Sequence, residues 1–324
     1  MTVAQPLSED DIPLQTFPPP QEFPYPILLC HGVARFDFVL SKFIDNRSST
    51  FSDKFHYFRG LRTFLISKGY TVFHSCVPWS AGVDKRAEVL YENILSIVER
   101  TGSPKVNLIC HSMAGLDARH MLFNHRHDNI IHTVAGIVTI STPHLGSPFA
   151  GFILNNFKGV LSMVGKRIDV DACQDLTVEA CMEFANNPEV IDFESKILPK
   201  YVQIRSFAGV SDYKSTMSAI KPSHKYIFDR EGPNDGLVSV QSAIWKSEFY
   251  QGEIPNCDHL NEICHFSLDH LLSGEVQSKF LNRMYNFYLD LATSFPLRQY
   301  DDNYSLLNDV LSNSDEVSEF EQFI

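Results

Sequence analysis

Few features of the sequence are typical of membrane, disulfide-rich or nucleic-acid-binding proteins. Its seven cysteines are odd in number and include no C-x-x-C pair, in a chain of 324 residues that is too long for a disulfide scaffold. The longest apolar runs, 25–30 and 134–140, are far shorter than the roughly 20 residues that span a bilayer. No block of lysine and arginine offers the basic patch that nucleic acid requires. We therefore exclude these classes and expect reduced, mostly buried thiols in an intracellular protein.

Acidic residues are concentrated at the two ends of the chain. The net charge is −12, yet the first 26 residues carry four acids and no Lys or Arg, and residues 301–324 carry seven acids and again none. The first 26 residues also lack the apolar core of a secretory signal and the arginine-rich composition of a transit peptide. The sequence predicts a proline-rich, extended lead-in at 1–24, one domain at 25–298 and a flexible acidic tail at 299–324.

Between the two ends, short apolar strands alternate with amphipathic helices. Strands are predicted at 25–31, 70–77, 105–110, 134–141 and 201–208, with another within 243–254, and helices at 54–68, 83–100, 116–124 and 267–291. This alternation indicates right-handed crossovers around a buried, mostly parallel sheet, which is an α/β fold.

The segment 148–166 is strongly apolar, with Lys158 and Lys166 as its only charges. Two interpretations are open for it. It is either a helix buried in the core, or a mobile helix whose apolar face covers an apolar binding site and can turn outward.

The candidate nucleophile is Ser112. It lies between a predicted strand and a predicted helix, in the order of a nucleophile elbow. At such a turn the serine backbone is strained and strand and helix cross closely, so the residues two before and two after must be small. Here these are Cys110 and Ala114, with Gly115 one place later, so the match to G-x-S-x-G is degenerate. The alternative is an ordinary serine that caps the helix.

A serine nucleophile needs a histidine base and an orienting carboxylate, and in this fold class the acid precedes the histidine in the chain. Asp235 lies in a turn bounded by glycine and asparagine, where it either projects over the sheet edge or merely caps the turn. His259 is the best-placed histidine downstream of this acid. The other candidates are disfavoured by chain order or by a predicted helical setting: His144, His224, His265 and His270.

A tetrahedral intermediate also needs preorganised donors for its oxyanion. Two backbone N–H groups are available by position. One belongs to Met113, directly after the nucleophile, and the other to Val33 in the loop after the first strand. Gly32 would let this loop approach the serine closely.

Five segments that contain these residues resemble, in the same order, bacterial-type triacylglycerol lipases and above all their fungal intracellular relatives. They are 26–33, 106–119, 140–147, 233–238 and 258–260, within a resemblance that covers roughly 24–290. The resemblance implies an α/β-hydrolase fold, with Ser112 as nucleophile, Asp235 as acid and His259 as base. It also implies a helical lid insertion at about 148–200, to which the apolar segment would belong.

The sequence departs from this family at two places. Secreted bacterial members are similar to this chain but hold calcium with an aspartate two residues after the catalytic histidine, whereas this chain has Asn261. A neutral amide removes a charge on which such a hard-cation site relies. We therefore predict no required metal and no other cofactor, and activity that survives EDTA. The second departure is the pair Cys110 and Ala114 in the elbow.

The sequence predicts a serine hydrolase that cleaves esters of long-chain acylglycerols at a membrane or lipid-droplet surface. The alternatives are a phospholipase, a short-chain carboxylesterase, or a non-catalytic lipid-binding relative. The resemblance suggests mitochondria, which the acid-rich start of the chain contradicts, and the cytosol or a lipid-droplet surface are the other locations. The sequence identifies no protein partner.

Overall fold

The computed structural model describes residues 24–33, 53, 56–164, 171–266 and 274–297, with backbone alone for 157–164 and 274–277. The predicted tail and almost all of the predicted lead-in lie outside these residues, as does His270. Within the described residues, no helix is both long enough and apolar enough to cross a bilayer.

A single parallel sheet organises the chain. Its strands are β1 (Ile27–Cys30), β2 (Val72–His74), β3 (Val106–His111), β4 (Val134–Ile140), β5 (Gln203–Val210) and β6 (Tyr250–Pro255). They lie in the order β2-β1-β3-β4-β5-β6, and each neighbouring pair is parallel. The carboxyl ends of all these strands therefore meet at one edge, where open α/β sheets place their ligand sites.

Helices connect the strands. They are α1 (Leu61–Ser67), α2 (Val83–Thr101), α3 (Ala114–Asn124), α4 (Ile130–Thr133), α5 (Pro148–Val164), α6 (Asp171–Asp175), α7 (Val178–Ala185), α8 (Pro188–Asp192), α9 (Lys221–Glu231), α10 (Val240–Ala243) and α11 (Gly274–Thr293). A π-helical turn at Phe193–Ile197 and a 3-10 turn at Leu198–Lys200 lead into β5.

The core has two layers because successive strand residues face opposite sides of the sheet. On one side, Leu28 and Leu108 pack with the apolar faces of α2 and α3. On the other side, Ile27 and Ile109 pack with α1 and α11. All four side chains are fully buried. Apolar side chains on both faces explain why the central strands read as continuous apolar runs in the sequence.

The predicted alternation of strands and helices is confirmed, with shorter elements at the start of the chain. The predicted helix at 54–68 begins only at Leu61, because Gly60 adopts a left-handed φ of 73° and interrupts the apolar spacing. The predicted strand at 70–77 is reduced to β2. The apolar segment 148–166 is helical through Val164.

The helices after β4 form an excursion whose two ends touch. The N–H of Ser147 donates to the carbonyl of Leu176 at 2.9 Å, so α5 and α6 leave and rejoin the domain at one point. The segment after α6 is held to the domain by a buried ion pair. Arg119 of α3 donates to Glu194 at 2.8 Å, and both side chains are buried.

Candidate active site

Ser112 lies at the sharp turn between β3 and α3. Its φ is 60°, a left-handed value that is unfavourable for a residue with a Cβ. The surrounding chain holds it there, because its N–H donates to Ile140 at 3.0 Å and its carbonyl accepts from the Thr142 hydroxyl at 2.7 Å. A strained serine retained by its neighbours is typical of a nucleophile elbow rather than of an ordinary helix cap.

The closest packing at this turn falls on Gly115, one place after the position that the motif predicts. A Cβ at Gly115 would lie 2.1 Å from Oγ1 of Thr142, which is the residue that fastens Ser112. Cys110 and Ala114 are both buried and fit without glycine. The shifted glycine therefore explains how a degenerate motif still forms the turn.

Asp235 and His259 are held together at the end of β5. The N–H of His259 donates to the carbonyl of Asp235 at 2.9 Å. One carboxylate oxygen of Asp235, Oδ1, accepts from the N–H groups of Leu237 and Val238 at 2.8 Å each. The other, Oδ2, lies 2.7 Å from Nδ1 of His259. This carboxylate therefore both caps its turn and orients a ring.

The three candidate side chains form one hydrogen-bonded line. Nε2 of His259 lies 2.9 Å from Oγ of Ser112, and the acid and the imidazole are buried while the serine is partly exposed. Burial acts to raise the pKa of Asp235, but the His259 ring and the two N–H donors outweigh burial and hold that pKa below its usual value. An ionised Asp235 fixes the tautomer of His259 that can accept a proton from Ser112.

The histidines passed over in the sequence serve other contacts. His144 is buried beside Thr139 and Arg119. His224 contacts the carbonyl of Ser211 through Nε2 at 2.8 Å. The prediction of a helical setting for His265 is wrong, since it follows a 3-10 turn in a loop, where Nε2 donates to the Tyr57 carbonyl at 3.0 Å.

The loop after β1 passes directly over the nucleophile. A Cβ at Gly32 would lie 2.7 Å from Cβ of Ser112 and 2.9 Å from the Tyr57 hydroxyl, so only glycine allows this approach. Nδ1 of His31 donates to the carbonyl of Gly32 at 2.9 Å and thereby fixes the peptide that carries the Val33 N–H. The Val33 side chain packs in the same cluster as Met113.

A buried polar network behind the serine was not predicted from the sequence. Nδ1 of His111 lies 2.7 Å from the Tyr57 hydroxyl, and Nε2 lies 2.8 Å from Glu262. Glu262 also accepts from the Ser141 hydroxyl at 2.6 Å. Burial and the nearby Asp235 raise the pKa of Glu262 well above its usual value, while burial and His259 hold the pKa of His111 far below its own. Both shifts favour the neutral form of the group concerned.

Three side chains that can ligate a metal ion lie close together: His111, His259 and Glu262. Each imidazole nitrogen of the group already has a protein partner, however. Those of His111 contact Tyr57 and Glu262, and those of His259 contact Asp235 and Ser112. The arrangement fits a hydrogen-bond network rather than a metal site.

We expect Glu262→Gln to make stability less dependent on pH. Above the usual pKa of 4.5, an unfolded Glu262 ionises while the folded one keeps its proton, so the free energy of unfolding falls as pH rises. Glutamine cannot ionise, so it removes this pH dependence, and its amide can still donate to His111. Urea unfolding at pH values from about 5 to 8 measures the slope. Glu189→Gln, at an exposed position, is the matched control, and equal slopes in both variants and the parent would contradict the expectation.

The loop after His259 is fastened by hydrogen bonds at the place where calcium would be expected from the resemblance. Asp258 accepts from the N–H groups of Met217, Leu260 and Asn261 at 2.7, 3.0 and 2.9 Å. The Asn261 amide donates to the His265 carbonyl at 2.9 Å. Both Asp258 oxygens accept backbone N–H groups, and Oδ1 of Asn261, the atom of that side chain that could ligate calcium, accepts from the Asp258 N–H at 3.5 Å. These residues do not fit a calcium site.

Sequence comparison relates the chain to lipases. The family model of the PGAP1-like alpha/beta domain matches residues 83–182, which include the Ser112 turn. Triacylglycerol lipase 2 of Saccharomyces cerevisiae is 27% identical over 282 residues, which are 76% of this chain and 82% of that protein. The triacylglycerol lipase of Pseudarthrobacter phenanthrenivorans is 31% identical over 137 residues, which are 41% of this chain and 38% of that protein.

Solved structures share the fold at low sequence identity. The lipase of Staphylococcus hyicus is 18% identical and superposes with a TM-score of 0.56, over 86% of this chain and 98% of that one. The predicted fold class is therefore confirmed, since the chain has the α/β-hydrolase fold that this lipase shares. The predicted resemblance to triacylglycerol lipases is also confirmed, through homologues from yeast and from bacteria.

Proposed function

We propose that this α/β-hydrolase is a serine ester hydrolase that cleaves long-chain acylglycerols, as a triacylglycerol lipase does. The observation that carries the proposal is the line from Ser112 Oγ through the His259 ring to Asp235, at 2.9 and 2.7 Å. The homologues named triacylglycerol lipase support the choice of substrate class.

In the proposed mechanism, Ser112 attacks the ester carbonyl while Nε2 of His259 takes its proton. The charge that develops on the imidazole is stabilised by Asp235. The N–H groups of Met113 and Val33 stabilise the oxyanion of the tetrahedral intermediate. His259 then protonates the leaving alcohol, and a water molecule hydrolyses the acyl-enzyme by the same route.

We also propose that part of the predicted lid region, 148–200, moves. The α5–α6 excursion meets the domain at Ser147 and Leu176, and its C-terminal end is held where Asp175 accepts the N–H of Val83 at 2.6 Å. The segment from α7 onward is fixed by the buried Arg119–Glu194 pair. In this proposal the mobile cover is therefore formed by α5 and α6, and the apolar composition of α5 suits a lipid surface.

The substrate class is tested by comparing hydrolysis of emulsified triolein, phosphatidylcholine vesicles and a soluble acetate ester. A lipase with a mobile cover is expected to hydrolyse triolein fastest and to accelerate when the substrate forms an interface. Fastest cleavage of phosphatidylcholine would indicate the phospholipase alternative, and preference for the acetate a short-chain esterase. A fluorophosphonate probe that fails to label the folded protein would indicate a non-catalytic relative.

We expect removal of divalent metal to leave activity unchanged. The loop that carries His259 is fastened by Asp258 and Asn261 through backbone hydrogen bonds, so a chelator has nothing to extract there. Triolein hydrolysis is measured before and after dialysis against EDTA, with added calcium as the control. A loss on dialysis that calcium restores would contradict the proposal.

The location of the protein is a further proposal. We propose an intracellular lipase that meets its substrate at a membrane or lipid-droplet surface, and the yeast relative named triacylglycerol lipase 2 supports the lipid substrate. Imaging of a tagged full-length protein distinguishes mitochondria, cytosol and lipid droplets.

A further inference from the structure

Arg86 is a buried cation that the triad does not use. It lies in the first turn of α2 and is fully buried, as is its partner Asp117 in α3. Nε of Arg86 donates to both oxygens of Asp117 at 3.0 Å, and Nη1 donates to the Pro78 carbonyl at 2.7 Å. A buried ion pair contributes little to net stability compared with apolar residues of similar volume, so its presence calls for a separate reason.

A single nitrogen of Arg86 joins the two segments that carry the proposed oxyanion donors. Nη2 donates to the His31 carbonyl at 2.7 Å and to Oδ2 of Asp117 at 2.8 Å. His31 begins the loop that carries Val33. Asp117 belongs to the first turn of α3, where its N–H donates to the carbonyl of Met113 at 3.1 Å.

The His31–Gly32 peptide is thereby held from both sides. Arg86 binds its carbonyl, and the Tyr57 hydroxyl packs against Gly32, where it would lie 2.9 Å from a Cβ. The next peptide is fixed in turn by Nδ1 of His31 on the Gly32 carbonyl, at 2.9 Å. Two successive carbonyl groups of the loop that leads to Val33 are thus each held by a hydrogen bond.

We infer that Arg86 is a positioning residue that sets the distance between the loop donor, Val33, and the elbow donor, Met113. This inference rests on the proposed function, because it assigns Arg86 a role in stabilising the oxyanion. The planar guanidinium is required, since a lysine ammonium cannot reach three acceptors in one plane. Arg86 itself stays out of contact with substrate.

The test uses the double variant Arg86→Met with Asp117→Asn, which removes both charges together and leaves neither buried alone. We expect the rate of fluorophosphonate labelling and kcat on the soluble acetate ester each to fall about 100-fold, with KM nearly unchanged, because oxyanion stabilisation acts in the transition state. Thermal unfolding establishes that the variant is folded. The matched control, Arg119→Met with Glu194→Gln, removes another buried pair on α3 and should leave the labelling rate within about twofold of the parent.

Arg86→Lys keeps the test decisive if the double variant does not fold. It preserves the charge beside Asp117 but not the planar bridge, so we expect a smaller loss in kcat, again without a change in KM. A folded variant of either kind that labels at the parent rate overturns the role of Arg86 and leaves the proposed function intact. A parent protein that does not label at all overturns both proposals.

Discussion

Replacement of Ser112 by alanine is expected to lower kcat for ester hydrolysis by about six orders of magnitude, to the level that binding and oxyanion stabilisation alone supply. The reason is chemical, because Ser112 is the hydroxyl that, among the residues described by the structure, lies in line with His259 and Asp235. Because alanine, like serine, has a Cβ, the substitution hardly changes the backbone strain at a φ of 60°. The fold should therefore be retained. Kinetics on the soluble ester, with fluorophosphonate labelling as a second readout, measure the loss.

Ser215→Ala is the matched control for this prediction. Ser215 is exposed and donates only to the carbonyl of Asp212, so its removal should leave both readouts unchanged. Hydrolysis by folded Ser112→Ala at more than a trace of the parent rate would assign the nucleophile to another residue. Retained labelling at a different serine would identify that residue.

Replacement of Asp235 by asparagine is expected to lower kcat by about four orders of magnitude while the turn remains intact. The asparagine oxygen can still accept from the N–H groups of Leu237 and Val238, which preserves the local structure. Its amide group, however, donates toward Nδ1 of His259 and favours the tautomer that carries the proton on Nε2. That tautomer cannot accept the proton of Ser112.

Kinetics on the soluble ester check this expectation, with thermal unfolding as the test of folding. Asp229→Asn is the control, because Asp229 is exposed and pairs only with Lys225 one turn away. A loss of less than about tenfold in Asp235→Asn would mean that orientation of His259 depends on other groups.

The three residues of the line could be predicted from the sequence because each one lies in a short local pattern. Ser112 follows a strand and precedes a helix, and Asp235 and His259 follow it in the order that the fold class requires. The structure places these same three side chains in one hydrogen-bonded line. The shift of the tight contact to Gly115 was not predictable, because it depends on Thr142 at the end of a neighbouring strand.

The supporting polar residues were missed for a different reason. Tyr57 and Glu262 meet His111 only through the packing of distant segments, and in the sequence they look like surface residues. Arg86 did carry a signal. It falls three residues after Val83 and four before Leu90, on the apolar stripe of α2, where a charge is expected only if it is paired inside the protein.

The contact between Ser147 and Leu176 has a consequence for how this enzyme can diversify. Because the chain leaves and returns at neighbouring points, the intervening segment can be replaced by one of another length without displacing β4, provided that the Asp175 contact with the N–H of Val83 at the start of α2 is kept. Replacement of this one segment would thus change substrate selectivity while the sheet and the serine turn stay the same. Chimeras joined at these two residues would be the natural units for engineering new substrate ranges.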